Sequence, residues 1–155
     1  MQFQRLNRTD PEKGFIVVKN TYSTASLSNG QAVMWDYVTD KDGVGVTLAT
    51  AGAAKHGGVV GAGIVAETIA AGSYGLLQVY GYHSAARCRA ISGAGTVVAT
   101  GVPLGLLEAA FCLVSLDVSQ ASTAVIRVYY PMAFSLGAAT AGYTTVTGAV
   151  FIQAM

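Results

Sequence analysis

Charge is scarce in this chain of 155 residues: nine Lys and Arg and eight Asp and Glu make up 11% of it, against roughly 25% in an ordinary soluble domain. The net charge of +1 is spread without a basic stripe, which argues against general nucleic-acid binding, since that depends on clustered cations neutralising phosphates. Only two histidines are present, His56 and His83, too few and too isolated for a triad or a metal cluster of recognised spacing. No stretch approaches the ~20 uninterrupted apolar residues of a membrane-spanning helix; Gly57–Ala66 and Val102–Leu116 are short, and Lys55, Glu67, Arg89 and Glu108 interrupt or bound the regions around them. The N-terminus, MQFQRLNRTDPEKG, is polar and lacks the apolar core of a secretory signal, so a cytosol-like compartment is expected. Two cysteines, Cys88 and Cys112, lie in apolar surroundings and read as buried free thiols.

What is plentiful is apolar. Hydrophobic residues reach 52% and the mean hydropathy is +0.48. A monomer with so few charges has little polar surface to cover itself, so part of its apolar surface is expected to be buried against other chains.

Residues 1–14 hold Arg5, Arg8, Asp10, Glu12, Lys13 and Pro11 without apolar periodicity and read as an extended arm. From residue 15 to 155, short apolar runs alternate with turn clusters in the manner of a single all-β domain, a compact β-barrel or β-sandwich. The runs are Phe15–Val18, Ala32–Val38, Val44–Thr50, Val59–Ala66, Leu76–Tyr82, Ala86–Ile91, Thr96–Thr100, Glu108–Leu116, Ala124–Tyr130 and Thr144–Gln153. Asn29-Gly30, Asp42-Gly43 and Ala71-Gly72-Ser73 supply turns that tolerate positive φ, and a further turn is expected over Gly137–Gly142. Leu106–Ala110 could form at most a short helical turn, since Pro103 and Gly105 oppose more. NGQAVMW at 29–35 and AGTVVAT at 94–100 form a weak internal echo.

Several motifs imitate chemistry. VVGAGIVAETIA, 59–70, carries Gly61 and Gly63 in the spacing of a dinucleotide fingerprint, but a helix opening there would meet Ala71-Gly72-Ser73 within two turns and no acid follows to hold a ribose. A Gly-containing strand is the better reading, and Ser73 is a turn residue rather than a nucleophile. His83, at the end of a strand, reads as a surface or interface residue. Asp36, Asp40 and Asp42 lack the alternate-acid pattern of a calcium loop and read as a polar hairpin. No catalytic residue, cofactor or metal is expected. The aromatics remain: Tyr80, Tyr82, Tyr129 and Tyr130 are candidate interface contacts, amphipathic rings of the kind enriched there.

The succession GQAVMWD (30–36), VVGAGIV (59–65), AAGSYGLLQVYG (70–81) and AGTVVATGVPLG (94–105) resembles the capsid decoration, or cement, proteins of tailed bacteriophages. The resemblance covers about half the chain and has no counterpart beyond Phe111. It implies a homo-oligomer, commonly a trimer, made in the host cytoplasm and docked on the outer surface of the virion capsid. There it would bridge copies of the major capsid protein, with Gln4, Arg5 and Arg8 of the arm as capsid contacts and no nucleic acid, membrane or cofactor as partner. Two alternatives stand beside it: another virion component (tail tube, fibre base or minor capsid protein), and a small nucleotide-binding protein or enzyme using Gly61 and Gly63.

Overall fold

The computed structural model describes residues 12–49, 61–89, 97–107, 110–116, 131–140 and 145–154, and every regular element within them is a strand. In chain order these are β1 (Lys13–Asn20), β2 (Ala32–Trp35), β3 (Gly45–Thr47), β4 (Gly61–Val65), β5 (Tyr74–Arg89), β6 (Val97–Val98), β7 (Pro103–Leu106), β8 (Leu113–Ser115), β9 (Ala133–Ser135), β10 (Ala139–Thr140) and β11 (Val146–Gln153). The fold is all-β, as the turn spacing predicts. In β1 the side-chain period of two puts Val18 and Asn20 in the interior while Phe15 and Val17 stay exposed.

The pairings close into two rings that share β5. In the first, β1 pairs with β3, β3 with β2, β2 with β4, β4 with β5 and β5 with β1. In the second, β5 pairs with β8, β8 with β7, β7 with β9, β9 with β11 and β11 with β5. Each ring has one parallel contact, β1–β3 and β5–β8, taken by the same strand roles. Closure leaves few free edges, which limits uncontrolled strand addition.

Registers match as well as order. Val33 opposite Gly63 corresponds to Leu104 opposite Ala133. Ile64 opposite Gln78 corresponds to Phe134 opposite Phe151. The turn before β2 places Gly30 at φ 83 with its N–H donating to Val65 O, and the turn before β7 places Gly101 at φ 82 with its N–H donating to Ser135 O. The isolated bridge Leu27–Ile69 has its counterpart in the small β6–β10 sheet, where Val98 opposes Ala139. The chain is therefore a tandem repeat of one five-stranded plan.

The interiors repeat accordingly. Val18, Leu27, Val33, Val46, Ala62, Leu77 and Val79 fill the first ring; Ala86, Val98, Leu104, Leu113, Met132, Val150 and Ile152 occupy the same places in the second. Ala32, Met34 and Ile64, on the other faces of β2 and β4, belong to the second cluster and join the rings into one body. Buried polar groups are matched: the Asn20 amide donates to Ala25 O and Ile69 O, and its oxygen accepts the Tyr22 N–H.

Several boundaries differ from the sequence reading. β1 starts at Lys13, so Lys13 and Gly14 belong to the sheet rather than the arm; residues 1–11 lie outside the described residues. Leu76–Tyr82 and the described part of Ala86–Ile91, up to Arg89, are not two strands but parts of β5, which runs unbroken because nothing in His83-Ser84-Ala85 demands a turn. Leu106, the first residue of the expected helical turn, ends β7, while residues 108 and 109 of that turn lie outside the described residues; of the strand expected over Glu108–Leu116, the structure describes β8 at Leu113–Ser115. β9 was not anticipated, and β10 falls where a turn was expected. The strand expected at Ala124–Tyr130 lies outside the described residues. The true partner of NGQAVMW is TGVPLGL, 100–106, not AGTVVAT.

Candidate functional site

The two rings provide an internal control. Where the same backbone plan carries different side chains, the difference is not required by the plan. The outer face of the β1–β5 pair is the clearest such place. Val17 opposes Leu76 and Phe15 opposes Gln78; Phe15, Val17, Leu76 and Tyr80 are 46%, 62%, 40% and 36% exposed. In the second ring the counterparts are Tyr82 for Phe15, the bulged Ser84 and Ala85 for Val17, Ala149 for Leu76 and Gln153 for Tyr80. Three of the four positions there carry small or polar residues. The apolar face thus belongs to one ring only.

Tyr80 extends this face toward the second ring: its side chain meets Phe151 edge-on, with ring centroids 5.3 Å apart and an interplanar angle of 81°. Tyr82 is half-buried and lies opposite Phe151, which in turn opposes Phe134. The structure so brings Tyr80 and Tyr82 onto one face. Tyr129, Tyr130, Gln4, Arg5 and Arg8 lie outside the described residues. Sequence reading missed Phe15, Val17 and Leu76, whose alternation with Ile16, Val18 and Leu77 was legible but whose exposed phase was not.

A polar concavity of about 310 Å³ adjoins the face, lined by Lys19, Thr21, Thr39, Asp40, Asp42, Val44 and Tyr74. Lys19 and Tyr74 oppose each other one step beyond Val17 and Leu76 on the same side of the sheet. The β2–β3 hairpin that walls it is held by Asp36, whose carboxylate accepts from the Thr21 hydroxyl at 2.7 Å and the Thr39 N–H at 3.0 Å. Burial alone would raise the Asp36 carboxyl, but these hydrogen bonds outweigh it and hold the group below 3.8. The three aspartates do form a polar hairpin, though Asp36 is its buried anchor.

Among the described residues no group of three or more metal-ligating side chains comes together. Gly61 and Gly63 sit within β4, where a side chain would run into Met132 and into the carbonyl of Gln78, so they serve close strand packing and not an open phosphate loop. Cys88 and Cys112 are free and buried; burial, with Cys112 beside it, pushes the Cys88 thiol up to about 11. His56 lies outside the described residues.

His83, expected at a surface or interface from its place at a strand end, is buried within the chain. Its Nδ1 accepts the Ala85 N–H at 3.2 Å. Burial, reinforced by the charge of Lys13, lowers its pKa below the usual 6.5. The fold therefore prefers neutral His83, and the unfolded chain binds the extra proton. Stability is fully present above pH 6.5 and declines as pH falls through the lowered folded value. Thermal melts of His83→Leu between pH 7 and pH 5 should show a shallower decline than the native chain; parallel declines would contradict this.

No family model and no curated protein matches the sequence. Among solved structures, the chain is similar to the head fiber gp8.5 N base of bacteriophage phi29, at 11% identity and a TM-score of 0.47, over 92% of this chain and 96% of that one.

Proposed function

We propose that this protein is a non-enzymatic structural component of a bacteriophage virion, which associates with copies of itself and with the capsid through the outer face of β1 and β5. One observation carries the association: of two rings built to one plan, only the first exposes Phe15, Val17, Leu76 and Tyr80 together. Their burial would release water from apolar surface that the fold leaves open. The virion as the place of assembly comes from the sequence resemblance over residues 30–105, and capsid decoration is the form of it that resemblance favours. The arm carrying Gln4, Arg5 and Arg8 adds contacts to the major capsid protein, its cations well suited to an acidic capsid surface.

The reading is tested with capsids of the parent phage prepared without this protein. Adding the full chain should saturate a fixed number of sites and raise the capsid's melting temperature, while a chain lacking residues 1–11 should bind at least about tenfold more weakly at physiological salt. Absence of saturable binding by the full chain would remove the capsid from the proposal; equal binding by the shortened chain would remove the arm.

A further inference from the structure

The repeat also sets the two rings apart in charge. At the end of the first ring, Asp40 and Asp42 stand on the hairpin that walls the concavity, with the exposed Tyr74 across from them. The equivalent connection of the second ring is shorter, residues 108–110 against 37–43, and its single acid is Glu108. The positions equivalent to Lys19 and Thr21 are there Arg87 and Arg89: Arg87 opposes Thr147 as Lys19 opposes Tyr74, and Arg89 follows Cys88 opposite Leu113 as Thr21 follows Asn20 opposite Val46. One end of the tandem is thus supplied with carboxylates and a free aromatic ring, and the other with guanidinium groups.

We propose that the Asp40–Asp42–Tyr74 concavity of one copy receives Arg87 and Arg89 of the next, a head-to-tail contact at the rim of the apolar face; the proposal rests on the self-association proposed above and names its partner. Guanidinium groups suit this place doubly, since they pair with carboxylates through directed N–H donors and lie flat against aromatic rings. Asp36 is not available for the role, because Thr21 and Thr39 already engage its two oxygens. Asp40 accepts the Asp42 N–H through one oxygen at 3.2 Å, which fixes the loop, and both residues line the concavity. A contact between unlike surfaces is heterologous, so repetition leads to a closed ring or an open filament and not to a twofold dimer. Lys19 lines the same concavity opposite Tyr74 and repels a cation seated beside it, which leaves the Asp40–Asp42 side as the favourable place for a guanidinium group.

The test uses the full chain and two charge-reversed forms, Asp40→Lys with Asp42→Lys, and Arg87→Asp with Arg89→Asp, all shown to be folded by circular dichroism. Sedimentation should show native association that weakens with added salt, and each reversed form alone should associate at least about tenfold more weakly because like charges then meet. An equimolar mixture of the two reversed forms should recover association to within about threefold of native, since every junction again pairs opposite charges. A mixture no better than its components overturns the proposal, as does native association that neither salt nor the reversals alter; in the second case self-association through the apolar face survives. A native chain that stays monomeric at all concentrations overturns both.

Discussion

Replacing Gly81 with valine is expected to abolish cooperative folding. Gly81 is the residue at which β5 passes from one ring to the other: it opposes Lys13 on one side and Ile152 on the other. Its φ is 95°, a conformation that a β-branched residue all but never adopts, and a side chain there would run into the carbonyl of Glu12. Backbone strain of about 1–3 kcal/mol comes first. Displacing β1 from β5 adds the loss of a pairing that encloses Val18, Leu77 and Val79, and together these approach the whole ~5–15 kcal/mol of an ordinary domain. Gly81→Ala keeps the experiment readable, with an expected loss of at least about 3 kcal/mol, or roughly 6–12 °C in Tm for a chain of this size. Gly101→Ala is the control, because φ is 82° there but nothing lies within 4 Å of the added methyl; it should lose about 1 kcal/mol. Equal losses for Gly81→Ala and Gly101→Ala would show that the junction is not under the steric constraint described.

The contrast explains why the fold was only partly legible in the sequence. Strand character at β1, β4, β5 and β11 follows from apolar runs bounded by Gly and Asn turns, and the runs survive in the structure within a few residues. What pattern could not show is pairing. The duplication is written in positions rather than identities: Val33 becomes Leu104, Leu77 becomes Val150 and Asn20 becomes Cys88, exchanges that conserve burial while erasing sequence likeness. Even the glycines mislead, since the sequence echo at Gly95 is displaced from the true counterpart of Gly30 at Gly101. β9 and β10 escaped because such short strands are held by their neighbours in the ring and not by local propensity.

The candidate site was less legible still. Tyr80 and Tyr82 are interface candidates from residue type alone, as amphipathic aromatics, and the structure sets them on one face. Which phase of an alternating strand meets solvent is decided by the other strands of the ring, so Val17 at 62% exposure and Val18 at 0% are indistinguishable in the sequence. His83 shows the same limit in reverse. A titratable residue near a strand end reads as a surface or interface residue, but β5 continues past it and carries it into the interior opposite Val150.

The same phase argument yields the sharpest test of association: converting Val17 to Lys and Leu76 to Glu in one chain should abolish self-association while leaving the monomer intact. The two residues are directly opposite on antiparallel strands, so the introduced charges form a cross-strand pair that contributes a few tenths of a kcal/mol and offsets the lost strand preference. Tm should therefore move by less than about 3 °C. Association responds differently. Burying the exposed parts of a valine and a leucine is worth about 2–3 kcal/mol together, and the charged pair must in addition be stripped of water if the contact is to form. A combined loss above about 3 kcal/mol corresponds to more than 100-fold in affinity. Sedimentation of the native chain and of Val17→Lys/Leu76→Glu across concentration separates the outcomes: dissociation with an unaltered melt supports the face as the interface, and unchanged association means that the exposed apolar residues of the first ring serve some contact other than assembly.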